Sequence, residues 1–76
     1  MADRKVIDAR GSFCPGPLME LIAAMKMVNV GEEIEVLSSD KGSSAEIPQW
    51  LKKVGHEHIG TTEEGGVWHV RARRSK

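Results

Sequence analysis

The residue with the most distinctive chemistry in this chain is Cys14, its only cysteine. It lies within residues 10–17, which read Arg-Gly-Ser-Phe-Cys-Pro-Gly-Pro. A short β-branched run precedes this segment and apolar residues at helical spacing follow it, so the pattern predicts that Cys14 is a helix N-cap. A thiolate there lies at the positive end of the helix dipole, which stabilises the anion. We therefore predict that the pKa of the Cys14 thiol lies below its ordinary value and that the thiol is a usable nucleophile.

The residues after Cys14 define the start of that helix. Pro15 falls at the first helical position, where its fixed φ suits the helix and its missing N–H is not needed. Pro17 removes a second amide from the first turn, so the N–H groups of Cys14 and Gly16 are the expected donors to the sulfur. The competing interpretation is that Cys14 is a small, buried and inert residue.

Four further residues are candidates for supporting roles. Asp8 ends the first predicted strand, and we expect it to cap the loop rather than act as a base, because a negative charge near Cys14 would raise the pKa of the thiol. Gly11 is expected to support the turn. Arg10 and Lys41 are candidates for contact with a substrate or partner, although a lone loop lysine is usually only solvated.

The three histidines suggest a metal site, but their spacing argues against it. His56 and His58 point the same way on one predicted strand, and His69 on the next strand is expected opposite Thr62. At about 3.3 Å per residue, His69 and His58 are then roughly 13 Å apart. Zinc–nitrogen bonds are only about 2 Å long, so we expect solvent-facing histidines, no metal and no cofactor.

Composition narrows the class of protein. The 76 residues carry 11 basic and 11 acidic side chains, so bulk charge does not favour nucleic acid or an anionic membrane. A single cysteine cannot form an internal disulfide. The charged start is followed by only a short apolar run, so we expect no signal peptide and no membrane span. The expectation is one cytoplasmic domain over residues 1–76, monomeric, without direct nucleic-acid binding.

The first half of the chain predicts a strand, a helix and a second strand. The strands are expected at about 5–9 and 33–37, and the helix at about 15–29, before Gly31. A helical crossover makes the two strands parallel. The 38–42 loop therefore leaves the sheet at the same edge as the turn at Cys14.

The second half predicts a helix and a hairpin. Residues 43–46 match a capping box, and the helix ends at Gly55; Pro48 is expected either to distort the first turn or to move the regular helix nearer Glu46. Strands follow at 56–64 and 67–73, joined by a two-residue turn at Gly65-Gly66. That turn places Glu63, Thr61 and Ile59 opposite Trp68, Val70 and Ala72 respectively, and leaves His69, Arg71 and Arg73 on the other face.

These residues resemble the TusA/SirA-like sulfur carrier family. The resemblance covers almost the whole chain, and the Cys-Pro-x-Pro element in this order and length is strong evidence for it. It is carried by Ile7-Asp8-Ala9-Arg10-Gly11, Cys14-Pro15-Gly16-Pro17, Gly31-Glu32, Ile34-Glu35-Val36, the Asp40 loop, Ile47-Pro48-Gln49-Trp50, Gly55-His56-Glu57 and the terminal hairpin. The family usually has a larger aliphatic residue where this chain has Ser12, so either the turn loosens or Phe13 takes over that packing.

The resemblance implies an α/β (α+β) two-layer sandwich of βαβαββ order, similar to the C-terminal domain of translation initiation factor three, with two helices on one face of a four-stranded mixed sheet. It also implies that Cys14 accepts sulfane sulfur as a persulfide or thiosulfonate. The donor would be a cysteine desulfurase or a rhodanese-like protein, and the acceptor a partner in tRNA thiolation or in sulfur or thiosulfate metabolism. We expect a carrier without independent turnover, although a small enzyme acting on thiosulfate stays open. The alternative is an RNA- or protein-binding regulatory module that uses the basic strand and tail from Arg71 to Lys76.

Overall fold

The computed structural model describes residues 5–13 and 15–76, so Met1–Arg4 and Cys14 lie outside the described residues. The described elements follow the predicted βαβαββ order. They are β1 (Lys5–Asp8), α1 (Gly16–Met25), β2 (Glu33–Ser38), α2 (Lys41–Val54), β3 (Glu57–Glu64) and β4 (Val67–Arg73).

The four strands form one mixed sheet in the order β1-β2-β4-β3. β1 pairs with β2 in parallel, as a helical crossover requires, and β4 pairs antiparallel with both β2 and β3. Gly65 and Gly66 join β3 to β4 with φ values of 58° and 84°, which is the left-handed backbone that a tight hairpin turn needs. The last strand in the chain therefore lies in the interior of the sheet.

Both helices cover one face of the sheet and enclose the core. Every second residue of β2 is buried, and so are Val70 and Ala72 of β4, which fits a sheet with one covered and one open face. Leu21 of α1 and Ile47 and Leu51 of α2 are 0% exposed against it. Neither helix in the described part of the chain is long and apolar enough to cross a membrane.

α1 is shorter than its apolar pattern predicts. The helix ends at Met25, and the amides of Lys26 and Met27 donate to carbonyls three residues earlier, so the chain tightens into a final turn before Gly31. The Arg74 guanidinium donates to the Val28 carbonyl and so satisfies an acceptor at this end. The C-terminal segment thus closes the end of α1 farthest from the turn at Cys14.

The predicted start of α2 is wrong. The N-cap is Asp40, whose carboxylate accepts from the amide of Ser43 at 3.2 Å and from its hydroxyl at 2.9 Å. Ser43 is therefore the third residue of the helix rather than its cap. Pro48 consequently lies inside a continuous helix, where burial of Ile47 and Leu51 offsets the hydrogen bond that proline cannot donate.

The hairpin register is right near the turn and wrong beyond it. Glu63 pairs with Trp68 and Thr61 pairs with Val70, as predicted. A bulge between His58 and Gly60 adds one residue, so His58, not Ile59, lies opposite Ala72. The one-residue shift moves His58 to the helix-covered face.

Candidate functional site

The loop after β1 and the loop after β2 meet at one edge of the sheet. The Ala9 amide donates to the Leu37 carbonyl at 2.8 Å, which continues the parallel pairing, and the Gly11 amide donates to Ser39 Oγ at 2.9 Å. Gly11 has a φ of 87°, a conformation that side chains with a Cβ rarely adopt. The segment that leads into Cys14 is therefore held against the loop that begins α2.

Asp8 and Arg10 form a paired unit in this loop. Asp8 Oδ1 accepts from the Arg10 amide at 3.2 Å and from Nε at 2.8 Å, while Oδ2 accepts from Nη2 at 2.7 Å. These hydrogen bonds from Arg10 lower the pKa of the Asp8 carboxyl to about 2. An ionised carboxylate with these donors is a loop cap and has no role as a proton acceptor near neutral pH.

The start of α1 differs from the expected cap geometry. The helix begins at Gly16, its N-cap is Pro15 rather than Cys14, and no side chain caps it. The Gly16 amide donates to the Phe13 carbonyl at 2.6 Å, so the prediction that this amide is free to stabilise the sulfur is wrong. The reason is local: the chain turns between Phe13 and Gly16, and that turn uses the amide before the helix begins. Cys14 itself lies outside the described residues.

Ser12 and Gly16 are matched to each other across this turn. A Cβ on Gly16 would lie 3.3 Å from Ser12 Cβ, tighter than an ordinary contact. Phe13 does not take over the apolar packing expected at position 12, because its side chain is 78% exposed. Pro15 is exposed as well, Pro17 is buried, and Met19 on the next turn of α1 is 59% exposed. The surface on both sides of Cys14 in the chain is thus apolar.

Lys41 is the first residue of α2 and is exposed at the same edge of the sheet. Its carbonyl accepts a hydrogen bond from the Ser44 hydroxyl at 2.6 Å. Arg10, in contrast, is bound to Asp8 and is not free to contact a substrate without breaking that pair. Of the two cations predicted to contact a substrate or partner, Lys41 has the more available side chain.

The open face of the sheet carries paired charges, which weakens the alternative of a nucleic-acid surface. Arg71 bonds to Glu33, Arg73 bonds to both Glu33 and Glu57, and His69 Nδ1 lies 2.9 Å from Glu35 Oε2. An RNA-binding face needs cations that can reach phosphates, and aromatic platforms commonly add to it. Here the strand arginines are already paired with carboxylates across the sheet.

The histidines are arranged differently from the prediction. His69 lies on the open face, whereas the bulge at Ile59 places His58 on the helix-covered side, where its Nε2 contacts Thr61 Oγ1 at 2.7 Å. His56 is half-buried, with its ring centroid 5.8 Å from that of Trp50, and its Nδ1 accepts from the Ser75 amide at 3.1 Å. The prediction that the three histidines share one face is therefore wrong, although His58 is exposed as expected.

Comparison with known proteins identifies the group to which this arrangement belongs. A family model described as Sulfurtransferase TusA matches residues 5–74. This range includes residues 10–17 and all six helices and strands of the described structure. The chain belongs to the TusA family. This confirms the family resemblance and the sulfur-carrier function that follows from it, and a carrier of this family exchanges sulfur with donor and acceptor partners.

Individual TusA-family relatives agree with the match. A candidate sulfur carrier protein of Archaeoglobus fulgidus is 52% identical over 71 residues, covering 93% of this chain and 97% of the relative. The sulfur carrier protein TusA of Allochromatium vinosum is 29% identical over 69 residues, covering 91% of each. The crystal structure of a SirA-like protein from Desulfitobacterium hafniense has a TM-score of 0.83 at 22% identity, covering 93% of this chain and 97% of that one. The last comparison confirms the predicted fold.

Sequence reasoning missed the exposed apolar residues around the turn. Phe13 is one of the two alternatives for packing at the turn, yet its side chain and that of Met19 lie largely in solvent. The signal was present in α1, which has apolar residues around most of its circumference and few charged ones. A surface helix that needs only one buried face does not require such a composition.

Proposed function

We propose that Cys14 is the persulfide site of this sulfur carrier. The observation that supports it is the TusA-family match across residues 5–74, which contains the single cysteine of the chain within Cys-Pro-Gly-Pro. A carrier needs one exposed nucleophilic sulfur and no neighbouring thiol that would release the cargo by forming an internal disulfide. The chain meets the second requirement by composition alone.

The transfer consists of two exchanges at sulfur. The Cys14 thiolate attacks the outer sulfur of a donor persulfide, the donor leaves as a thiolate, and Cys14 becomes a persulfide. An acceptor thiolate then attacks the outer sulfur on Cys14, which is restored as a thiolate. No net oxidant or reductant is consumed, and the domain needs a partner at both steps, so independent turnover is not expected.

The residues around Cys14 have positioning roles in this proposal. Pro15 and Pro17 fix the start of α1, and Gly11 and the Asp8–Arg10 pair hold the incoming loop against β2 and the Ser39 hydroxyl. Gly16 keeps the space beside Ser12 open. Lys41 supplies a cation at the same edge for the anionic sulfur or for a partner carboxylate.

The donor is a cysteine desulfurase or a rhodanese-like protein, and the acceptor acts in tRNA thiolation or in sulfur or thiosulfate metabolism. Phe13, which precedes Cys14 in the chain, and Met19 on α1 are exposed, and this supports direct docking of these proteins, because apolar side chains at the centre of an interface supply most of its affinity. A single cytoplasmic, monomeric domain fits this role, since the same face must be presented to two partners in turn.

Intact-protein mass spectrometry tests the persulfide assignment. The chain is incubated with polysulfide or thiosulfate, or with a cysteine desulfurase and cysteine, and the expected result is a gain of sulfur mass that dithiothreitol removes. Cys14→Ser is expected to lose all of this gain. A second variant, Ser75→Cys in the Cys14→Ser background, restores an exposed thiol at a distant position. If the relocated thiol is loaded by the desulfurase as efficiently as Cys14, or if Cys14→Ser is still loaded, the assignment is wrong.

A further inference from the structure

A groove lies at the opposite end of the helices from the turn at Cys14. It has a volume of about 150 Å³ and runs between the C-terminal halves of α1 and α2 and the C-terminal segment. The nine steps along α1 from Gly16 to Met25 span roughly 14 Å, so this groove is separate from the proposed sulfur site. The side chains that line it are Ile22, Met25, Lys26, Trp50, His56, Arg74 and Lys76.

The groove has an apolar floor and an aromatic wall. Met25 is 3% exposed and belongs to the core, and Ile22 lies beside it on α1. The Trp50 indole and the His56 imidazole face each other at a tilt of 43°. These surfaces present mainly carbon atoms and ring faces to a bound group.

The rim of the groove is cationic, and none of the described residues that line it is Asp or Glu. In the described part of the chain, Arg10, Arg71 and Arg73 all form ion pairs with Asp or Glu. None of the pairs found there involves Lys26, Arg74 or Lys76. Arg74 instead donates to the main-chain oxygens of Val28 and Lys76, so the ammonium groups of Lys26 and Lys76 are the rim cations that pair with no Asp or Glu side chain of the described residues.

His56 is affected by these cations and adds a donor to the groove. Burial, followed by the charges of Arg74 and Lys76, lowers the pKa of its imidazole, so the ring is neutral near pH 7. Since Nδ1 accepts from the Ser75 amide, the proton of the neutral ring is assigned to Nε2. Nε2 of His56 is therefore an N–H donor on one of the residues that line the groove.

We propose that this groove binds a small organic anion, namely a carboxylate attached to an aromatic or compact apolar body. The apolar body packs between Met25 and Trp50, and the carboxylate lies near the ammonium groups of Lys26 and Lys76. The volume agrees with this class of ligand, because a cavity of about 150 Å³ accommodates benzene. The carboxylate is supplied either by a free metabolite or by an acidic group on a partner protein.

Titration with benzoate, followed by nuclear magnetic resonance at physiological ionic strength, is the direct test. We expect saturable shifts of the Trp50 indole N–H and of the amides near Lys26 and His56, with a dissociation constant on the order of 1 mM, as the small size of the ligand dictates. The indole signal is assigned with a Trp68→Phe variant. Benzamide, which has the same shape without the charge, is expected to bind about tenfold more weakly. Equal binding of the two compounds overturns the proposal.

Charge variants locate the binding site. Lys26→Gln combined with Lys76→Gln is expected to weaken benzoate binding by about fivefold, because each partly exposed cation contributes modestly. Lys26→Arg with Lys76→Arg is expected to restore it. Lys53→Gln is the matched control, since Lys53 is exposed on α2 but does not line the groove. If Lys53→Gln weakens binding as much as the double variant, the attraction is a general surface effect and no site exists.

A peptide distinguishes the two sources of the carboxylate. A short peptide ending in phenylalanine is compared with its C-terminal amide and with benzoate. Tighter binding of the free-carboxylate peptide than of benzoate assigns the groove to a partner protein, whereas binding of benzoate alone assigns it to a free metabolite. Failure of all three to bind contradicts the proposal. Because none of these measurements involves sulfur, repeating them with Cys14→Ser keeps this result independent of the carrier chemistry.

Discussion

The two helices cover the same sheet but have opposite surface chemistry. α2 is amphipathic: Ile47 and Leu51 are fully buried, and the rest of its circumference carries mostly polar and charged residues. α1 also buries a stripe, yet Met19 on its outer side is 59% exposed. The difference indicates that the outer face of α2 is mostly an ordinary solvated face, whereas α1 has a second apolar face that is available for contact with other molecules.

The N-termini of the two helices also differ, because only that of α2 has a side-chain cap. Asp40 caps α2 with two hydrogen bonds to Ser43, and this cap makes that end stable without any partner. α1 begins after Pro15 with no side-chain cap, and Phe13 before it is largely in solvent. The end of α1 that adjoins Cys14 is therefore the one that a partner protein can cover.

The largest expected effect is a difference in stability between substitutions on the buried and the exposed face of α1. Leu21→Ala is expected to lower the free energy of unfolding by about 2–5 kcal/mol, because Leu21 is 0% exposed and its removal leaves a cavity. Met19→Ser on the same helix is expected to change it by less than about 0.5 kcal/mol. Urea denaturation followed by circular dichroism measures both. A loss at Met19 comparable to that at Leu21 would mean that the outer face also serves the core.

The exposed face of α1, which contributes little to stability, is expected to matter in sulfur transfer. Met19→Ser, alone or with Phe13→Ser, is expected to slow loading of Cys14 by a desulfurase about tenfold, because lost apolar contact weakens the encounter complex. Loading by polysulfide, which needs no docking, is expected to stay unchanged. Met27→Ser, at an exposed position beyond the helix, is the matched control. Equal slowing with polysulfide would place the effect on the thiol rather than on docking.

The next largest expected effect is the loss of stability when the N-cap of α2 is removed. Asp40→Ala is expected to cost about 1 kcal/mol of unfolding free energy, because the Ser43 amide and hydroxyl both lose their acceptor. Asp40→Asn keeps an acceptor and is expected to recover most of this loss. Equal losses in the two variants would assign the contribution of Asp40 to its charge. The same denaturation experiment measures the loss.

This cap also shows what the sequence reveals and what it conceals. The order of elements followed from hydrophobic period, the glycine pair of the hairpin and the proline pair after Cys14, all of which are local signals. Local sequence does not decide whether Asp40 or Ser43 is the N-cap, because both residue types cap helices. The position of the cap depends on where the chain leaves the end of β2. The bulge at Ile59 had a weak signal in Gly60, since a glycine within a strand commonly marks a bulge.

The site was predictable in its chemistry and less so in its geometry. Cys14, Pro15 and Pro17 are recognisable because a cysteine before two closely spaced prolines at a helix start is rare and has a physical meaning. The use of the Gly16 amide by the Phe13 carbonyl depends on a four-residue turn that no residue type specifies. The exposure of Phe13 depends on which side of the loop faces the sheet, and that is set by contacts as distant as Gly11 to Ser39.

The smallest expected effect concerns His56, which joins the C-terminal segment to α2. Its pKa is lowered by burial and by the charges of Arg74 and Lys76, so His56 binds a proton more weakly in the folded protein than in the unfolded chain. The contribution of His56 to the unfolding free energy is therefore fully present above about pH 6.5, the ordinary histidine pKa. It declines as the pH falls from there toward the lowered pKa of the folded protein. Burial is the larger cause of the lowered pKa, and the charges of Arg74 and Lys76 add to it.

The His56→Gln variant isolates this contribution from that of the other histidines. Glutamine accepts the Ser75 amide but does not titrate, so the difference in unfolding free energy between wild type and variant is expected to be flat above about pH 7 and to slope below about pH 6.5. Urea denaturation at a series of pH values measures this difference. A difference that stays flat through the acidic range would mean that His56 is not held neutral by its surroundings. A slope there shows that the tail, like the cap of α2, contributes to folding through one side chain with a defined partner.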